Sequence, residues 1–204
     1  VTVRAAIFDV GKVLYDWSPR FLYQRLIDDD QALDAFLRDV LTLEWHFQHD
    51  AGRPFAETSA ELISRFPGHE TLILAWRDRY LESIGEPVPG VHAVVAELDA
   101  AGVPLFVISN FSGEFWPPFR AAEAALFDRF RGFVISGDER LIKPDPAIYT
   151  LALDRFGLAA DEAFFVDDNP ANIESAAAMG ITARLFTDAA TLRRDLVSVG
   201  LLDG

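Results

Sequence analysis

The sequence contains no cysteine. That absence excludes disulfides and thiolate metal sites and removes any argument for an oxidising compartment. Long apolar runs are also missing. The amino terminus has no segment of signal-peptide type, and no stretch approaches the ~20 residues of a membrane span. Positive charge is scarce: 18 Lys and Arg stand against 32 Asp and Glu, a formal net charge of −14. A nucleic-acid partner is therefore not expected, because phosphate backbones are gripped through basic patches. The same field repels small anions. An anionic substrate would need a cation, a lysine or a helix N-terminus inside a cleft to reverse the sign locally. What is abundant is apolar material, half of the 204 residues. That suits one domain with at most a modest second lobe. The chain opens at Val1, as after loss of an initiator methionine, and the cytoplasm is the expected compartment.

Val3 to Phe8 are nearly all apolar and too few for a typical helix, so they read as a buried strand. Asp9 ends that strand, where ligands bind in open α/β sheets. Gly11 permits the turn that must follow and lets a ligand approach the backbone. From Phe21 to about Ile84 the pattern is helical: Leu33, Phe36, Leu37, Val40 and Leu41 share one face, as do Leu72, Ile73, Trp76, Tyr80 and Ile84. Breaks at residues 28–30, 51–54 and 66–68 divide this stretch into four helices, closed by the segment 86–90. Beyond it strand and helix alternate. A helix from Val91 ends at Gly102, and a strand from Val103 to Ile108 leads into Ser109-Asn110. After a loop and helix comes a short strand at Gly132–Ile135. Lys143-Pro144-Asp145-Pro146 opens a helix that ends at Gly157. A strand at Ala163–Val166 runs into Asp167-Asp168, Pro170 starts another helix, and a strand near Ile181–Phe186 precedes the last helix. This alternation predicts an α/β fold with a parallel sheet covered on both faces. Some 80 residues of helix are too many for one crossover, so they read as an inserted helical lobe.

If the strands are parallel and adjacent, Asp9, Ser109, Asn110, Lys143, Asp167 and Asp168 converge at one edge of the sheet. Taken singly, Ser-Asn is a turn and Lys-Pro-Asp-Pro is a helix start. Three carboxylates together repel unless a cation lies among them, and an oxygen-rich set suits Mg²⁺ with substrate phosphate. Lys143, the Ser109 hydroxyl and backbone N–H groups around Gly11, Lys12 and Asn110 can hold phosphoryl oxygens. Asp9 is then placed to attack phosphorus and form an aspartyl phosphate.

The segments Phe8-Asp9-Val10-Gly11-Lys12-Val13-Leu14, Val107-Ile108-Ser109-Asn110, Lys143-Pro144-Asp145-Pro146 and Phe165-Val166-Asp167-Asp168-Asn169-Pro170-Ala171-Asn172 resemble the motifs of the haloacid dehalogenase superfamily. The resemblance spans essentially the whole chain. It implies a Rossmann-like core of residues 1–14 and 89–204 with a helical bundle, the cap, at 15–88. It implies Asp9 as nucleophile, Ser109 and Lys143 as phosphate binders, and Mg²⁺ held by Asp9, the Gly11 carbonyl and Asp168, with Asp167 beside it. The expected partner is a small phosphorylated metabolite, sugar phosphates among the candidates, met by a monomer or homodimer.

Two departures matter. Phosphatases of this superfamily usually carry a second aspartate, an acid and base, where this chain has Gly11. Asp16 or a cap residue such as His46 could take that role; without one, turnover would be slow or the protein would be a phospho-binding regulatory module. Metal-free 2-haloacid dehalogenases carry tyrosine at the Gly11 position, and Asp167-Asp168 would oppose a haloacid carboxylate, so phosphoryl transfer is favoured over dehalogenation. A receiver domain would place its acidic pair before the phosphoacceptor, and a mutase needs the missing aspartate. For substrate choice the residues to inspect are Trp17, Arg20, Trp45, His46, Gln48 and Arg53 on the cap side, with Phe111 and Trp116 on the core side. Arg53, in a loop beside Gly52 and Pro54, is the expected substrate contact.

Overall fold

A computed structural model describes residues 2–204. Along the chain come β1 (Ala5–Phe8), β2 (Tyr15–Trp17), α1 (Pro19–Tyr23), α2 (Asp30–Asp39), α3 (Leu43–Asp50), α4 (Phe55–Arg65), α5 (Glu70–Asp78) and β3 (Ile84–Pro87). Then follow α6 (Val91–Ala100), β4 (Leu105–Ser109), α7 (Trp116–Ala122), α8 (Ala124–Phe127), β5 (Gly132–Ile135) and α9 (Ser136–Glu139). The last elements are α10 (Pro146–Phe156), β6 (Ala163–Asp167), α11 (Pro170–Ala178), β7 (Thr182–Leu185) and α12 (Ala189–Ser198). No described helix is long and apolar enough to cross a membrane.

Five strands form one parallel sheet in the order β5-β4-β1-β6-β7. β1 is central because its four residues are fully buried and apolar on both faces, as a parallel strand under helices must be. Ala6 and Phe8 face one core, shared with α6, α12 and the helices of residues 19–78, while Ala5 and Ile7 face a second core built with α10 and α11. Phe8 stands level with Val107 of β4 and Val166 of β6. That register brings Asp9, Ser109 and Asp167 to the same carboxyl-terminal edge, where the chain order reverses about β1.

The helical stretch has five helices where the periodicity predicts four. The extra break lies at Val40–Thr42: α2 ends at Asp39, and Thr42 caps α3 by accepting from Trp45 N at 3.1 Å. Val40 and Leu41 stay buried although they leave the helix, so apolar spacing alone hides the interruption. The segments at both ends also differ from expectation. Tyr15–Trp17 and Ile84–Pro87 pair as an antiparallel ribbon, so the chain enters and leaves the helical lobe side by side. Three and four residues are too few for alternation to show. At Gly85 a Cβ would lie 2.8 Å from the Phe21 ring, so a side chain there would have to displace that ring.

Candidate active site

The site is built outward from Asp9. Its carboxylate follows the buried end of β1, and at Oδ1 the Ser109 hydroxyl donates at 2.9 Å and Lys143 Nζ lies at 2.8 Å. Oδ2 is left outside this clamp. Lys143 is itself committed. Nζ donates to Asp167 Oδ2 at 2.6 Å and to the Ile108 carbonyl at 3.0 Å, and its charge pairs with Asp9. Asn110 secures the lysine backbone, donating from Nδ2 to Lys143 O at 3.0 Å and accepting from Lys143 N at 2.8 Å. Asp167 is equally engaged: beyond the lysine it accepts from Asn169 N and from the Asn172 amide, at 2.8 and 3.0 Å.

Electrostatics follow from that burial. Asp9 is pushed up to about 6, first by loss of water and further by Asp167, against the opposing pull of Lys143. Burial alone would lower the Lys143 ammonium, but the two carboxylates outweigh it and the net shift is upward. The Asp168 carboxyl is also raised, by burial and then by Asp167. Oxygens from Asp9, Asp167 and Asp168 all fall within 4.8 Å of one another. Because Asp167 is spent on Lys143 and Asn172, Asp9 and Asp168 are the carboxylates open to a cation. One or two carboxylates, with a carbonyl and waters, is a donor set that fits Mg²⁺.

A cavity of about 220 Å³ opens onto this group. Its floor includes Asp9, Gly11, Lys12, Ser109, Asn110, Lys143 and Asp168, so the strand-end residues singled out from sequence meet here. Asp167 lies beneath, fully buried. At Gly11 an added Cβ would meet nothing within 4 Å, so this position faces open space. The opposite wall belongs to the helical lobe and ribbon: Asp16, Trp17, His46, Phe47, Asp50, Tyr80 and Ile84. Phe111 and Phe119 close it on the core side.

Of the residues marked for substrate choice, Trp17, His46 and Phe111 line this cavity. Arg53 does not; its guanidinium turns outward to Glu61, at 2.7 Å, and to Gln48. Arg20 is likewise drawn away by Asp34. Trp45 packs in the core of the helical lobe, where its Nε1 donates to Thr58 O at 3.1 Å, and Trp116 packs against Phe127. Loop position alone pointed to Arg53 as a substrate contact, whereas Glu61, in the second turn of α4, takes its guanidinium. Sequence reasoning missed Asp50 and Tyr80. Asp50 carried a signal, since it stands four residues after His46 on one helix and so on the same face.

Residues 3–180 match the haloacid dehalogenase-like hydrolase family. A sesquiterpene phosphatase of Aspergillus oryzae is 27% identical over 92% of this chain and 91% of its own length. A phosphoglycolate phosphatase of Yersinia pseudotuberculosis is 32% identical, covering 87% of this chain and 78% of that protein. Among solved structures, a haloacid dehalogenase family enzyme of Bacteroides thetaiotaomicron, in complex with magnesium and inorganic phosphate, superposes with a TM-score of 0.68 at 17% identity, over 91% of this chain and 95% of that one.

Proposed function

The chain belongs to the haloacid dehalogenase-like hydrolase family, and on that premise we propose that it is a Mg²⁺-dependent phosphomonoesterase that works through an aspartyl phosphate on Asp9. Its substrate in this reading is a small phosphorylated metabolite of the sugar-phosphate kind. The carrying observation is the clamp on Asp9: Ser109 and Lys143 both hold Oδ1, so the carboxylate is fixed with Oδ2 as the oxygen for attack. Asp9 Oδ2 bonds to phosphorus as the ester P–O bond breaks and the alcohol leaves; water then displaces Asp9 and releases phosphate. Held by Asp9, Asp168 and the Gly11 carbonyl, Mg²⁺ would supply positive charge against the phosphoryl oxygens. Lys143 and Asp167 keep the nucleophile in place, and backbone N–H groups near Lys12 and Asn110 receive the phosphoryl oxygens. Residues 15–88 act as a cap whose wall faces the alcohol and excludes water.

Two observations support a hydroxyl-bearing alcohol. Trp17 Nε1 and Asp50 Oδ1 are buried polar atoms without a partner in the structure, and both residues line the cavity. One is a donor and the other an acceptor; hydroxyls answer both. The cap wall carries Asp16 and Asp50 and no lysine or arginine, which supports a leaving group without a second anionic charge. A cavity below the ~300 Å³ at which drug-sized ligands begin supports a compact one. The test is phosphate release from a panel of phosphorylated metabolites with Mg²⁺ and with EDTA, run beside Asp9→Asn. Release that needs the metal and disappears in the variant is expected; release retained by Asp9→Asn would overturn the scheme.

A further inference from the structure

Position 11 offers no acid, yet an alkoxide is a poor leaving group, and the ester oxygen must be protonated as it departs. We propose that His46, oriented by Asp50, is the proton donor to the leaving oxygen and then the base that activates water. This rests on the phosphatase reading above.

His46 and Asp50 lie one turn apart on α3, with Nε2 and Oδ2 3.4 Å apart and both side chains buried. An imidazole with a carboxylate beside it in a dry site is placed for proton shuttling. The other ring nitrogen, Nδ1, is buried with no partner. Both residues line the same cavity as Asp9 and Lys143. The ring is fixed from its sides as well, with Trp17 4.8 Å and Trp76 5.2 Å away between centroids. The remaining titratable groups against it are His49 and Tyr80, at 6.1 and 6.4 Å.

The helix carrying this pair is anchored to the phosphate-binding edge. Ser136 Oγ donates to Asp50 O at 2.6 Å and accepts from Phe111 N at 3.0 Å, two residues beyond Ser109. Gly52, at φ +87°, lets the end of α3 come so close that a Cβ would sit 2.8 Å from Gly137 O. The pair is therefore positioned by the same loop as the nucleophile's clamp. Asp16, the other candidate, is exposed, and its Oδ1 already accepts from Trp17 N at 2.8 Å.

In the first step Asp9 Oδ2 bonds to phosphorus, the ester P–O pair goes to the departing oxygen, and that oxygen takes the proton from protonated His46. In the second, neutral His46 removes a proton from water as its oxygen bonds to phosphorus; the P–O(Asp9) pair returns to the carboxylate. Protonated His46 is regenerated, and atoms and charge balance.

A leaving group that needs no proton exposes this role. For the wild type, His46→Ala and His46→Gln, kcat/KM is measured with glucose 1-phosphate, glycerol 3-phosphate and p-nitrophenyl phosphate in Mg²⁺, with folding checked by circular dichroism. Because kcat/KM reports only through loss of the alcohol, the alkyl esters should lose about 10²-fold or more and the p-nitrophenyl ester less than about tenfold. kcat should fall for every ester, since all share one aspartyl phosphate whose hydrolysis has lost its base, and the p-nitrophenyl ester should show a burst. Asp50→Asn should reproduce the pattern more weakly, which keeps the test open if both His46 variants misfold. Equal kcat/KM losses for all esters, or none, would overturn the role while leaving the phosphatase in place. No wild-type turnover of any ester would remove the phosphatase reading and this role with it.

Discussion

Replacing Lys143 by methionine tests whether the clamp on the nucleophile also holds the fold. The ammonium lies 2.8 Å from Asp9 and 2.6 Å from Asp167, all three side chains being buried. At an effective dielectric near 20, each contact carries roughly 6 kcal/mol of attraction, most of it offset by burying the charges. Methionine matches the stem but leaves two carboxylates without a counter-charge. Breaking a buried pair in this way costs about 3–5 kcal/mol, a large part of the roughly 5–15 kcal/mol that holds a domain together. The cost should depend on pH. Asp9 is already pushed up to about 6 by burial and Asp167 against the pull of the lysine; without that pull it rises further. A carboxylate with a folded pKa above its unfolded one binds more protons when folded, so its penalty shrinks as pH falls. Urea unfolding of Lys143→Met and wild type, without metal, should show the full cost at pH 8 and a clearly smaller one at pH 5.5. A cost under about 1 kcal/mol at pH 8, or one unchanged by acid, would refute the assignment of a charged lysine between two buried carboxylates.

Gly11→Asp places a carboxyl where a Cβ meets nothing within 4 Å; in the His46→Ala background it should raise kcat/KM for alkyl phosphates by about tenfold or more, and no gain would show that the position does not reach the leaving oxygen. His49 is pushed down to about 3, mainly by burial and then by His46 and Arg53, so the unfolded chain, titrating near 6.5, binds the extra proton and stability drains from about pH 6.5 toward pH 3. His49→Gln should flatten the fall of Tm between pH 7 and pH 4.5, and an unaltered slope would refute the burial of a neutral imidazole. Arg53→Ala should leave kcat/KM within twofold of wild type for every ester, since the guanidinium is spent on Glu61 and Gln48; a larger loss would return it to the substrate.

The core was legible because its signals are local. β1, β4 and β6 are short apolar runs that end in or lead straight into a polar residue, and their burial on both faces gives them a clear pattern. The helices from Val91 onward carry their own stops: Gly157 sits at φ +66° and caps α10, just where the sequence places its end. The helical lobe read less well. Val40 and Leu41 continue an apolar face after the hydrogen-bonded helix has ended, because their burial against the lobe's core outweighs the local preference. The β2–β3 ribbon joins segments nearly 70 residues apart, and nothing within either segment announces the other.

The same distinction governs the site. Asp9, Ser109 and Asp167 could be placed together because parallel strands in register bring their ends to one edge, a consequence of topology alone, and Lys143 joins them from the loop before α10. What topology could not supply is the division of labour among them. In the structure Lys143 donates to Asp167 and the Ile108 carbonyl and pairs with Asp9, and Asp167 also accepts from Asn169 and Asn172; on the proposed reading both then support the nucleophile, and Asp9 with Asp168 are the carboxylates left for a cation. The opposite wall depends on how a lobe of five short helices docks, which is decided by contacts as distant as Ser136 to Asp50 and Glu114 to Phe55. Those contacts turn an unremarked i,i+4 pair, His46 and Asp50, into a wall of the reaction cavity. The chemistry missing at position 11 is therefore not to be sought along the first strand. It lies in a helix about 35 residues further on, brought back by packing that no single segment encodes.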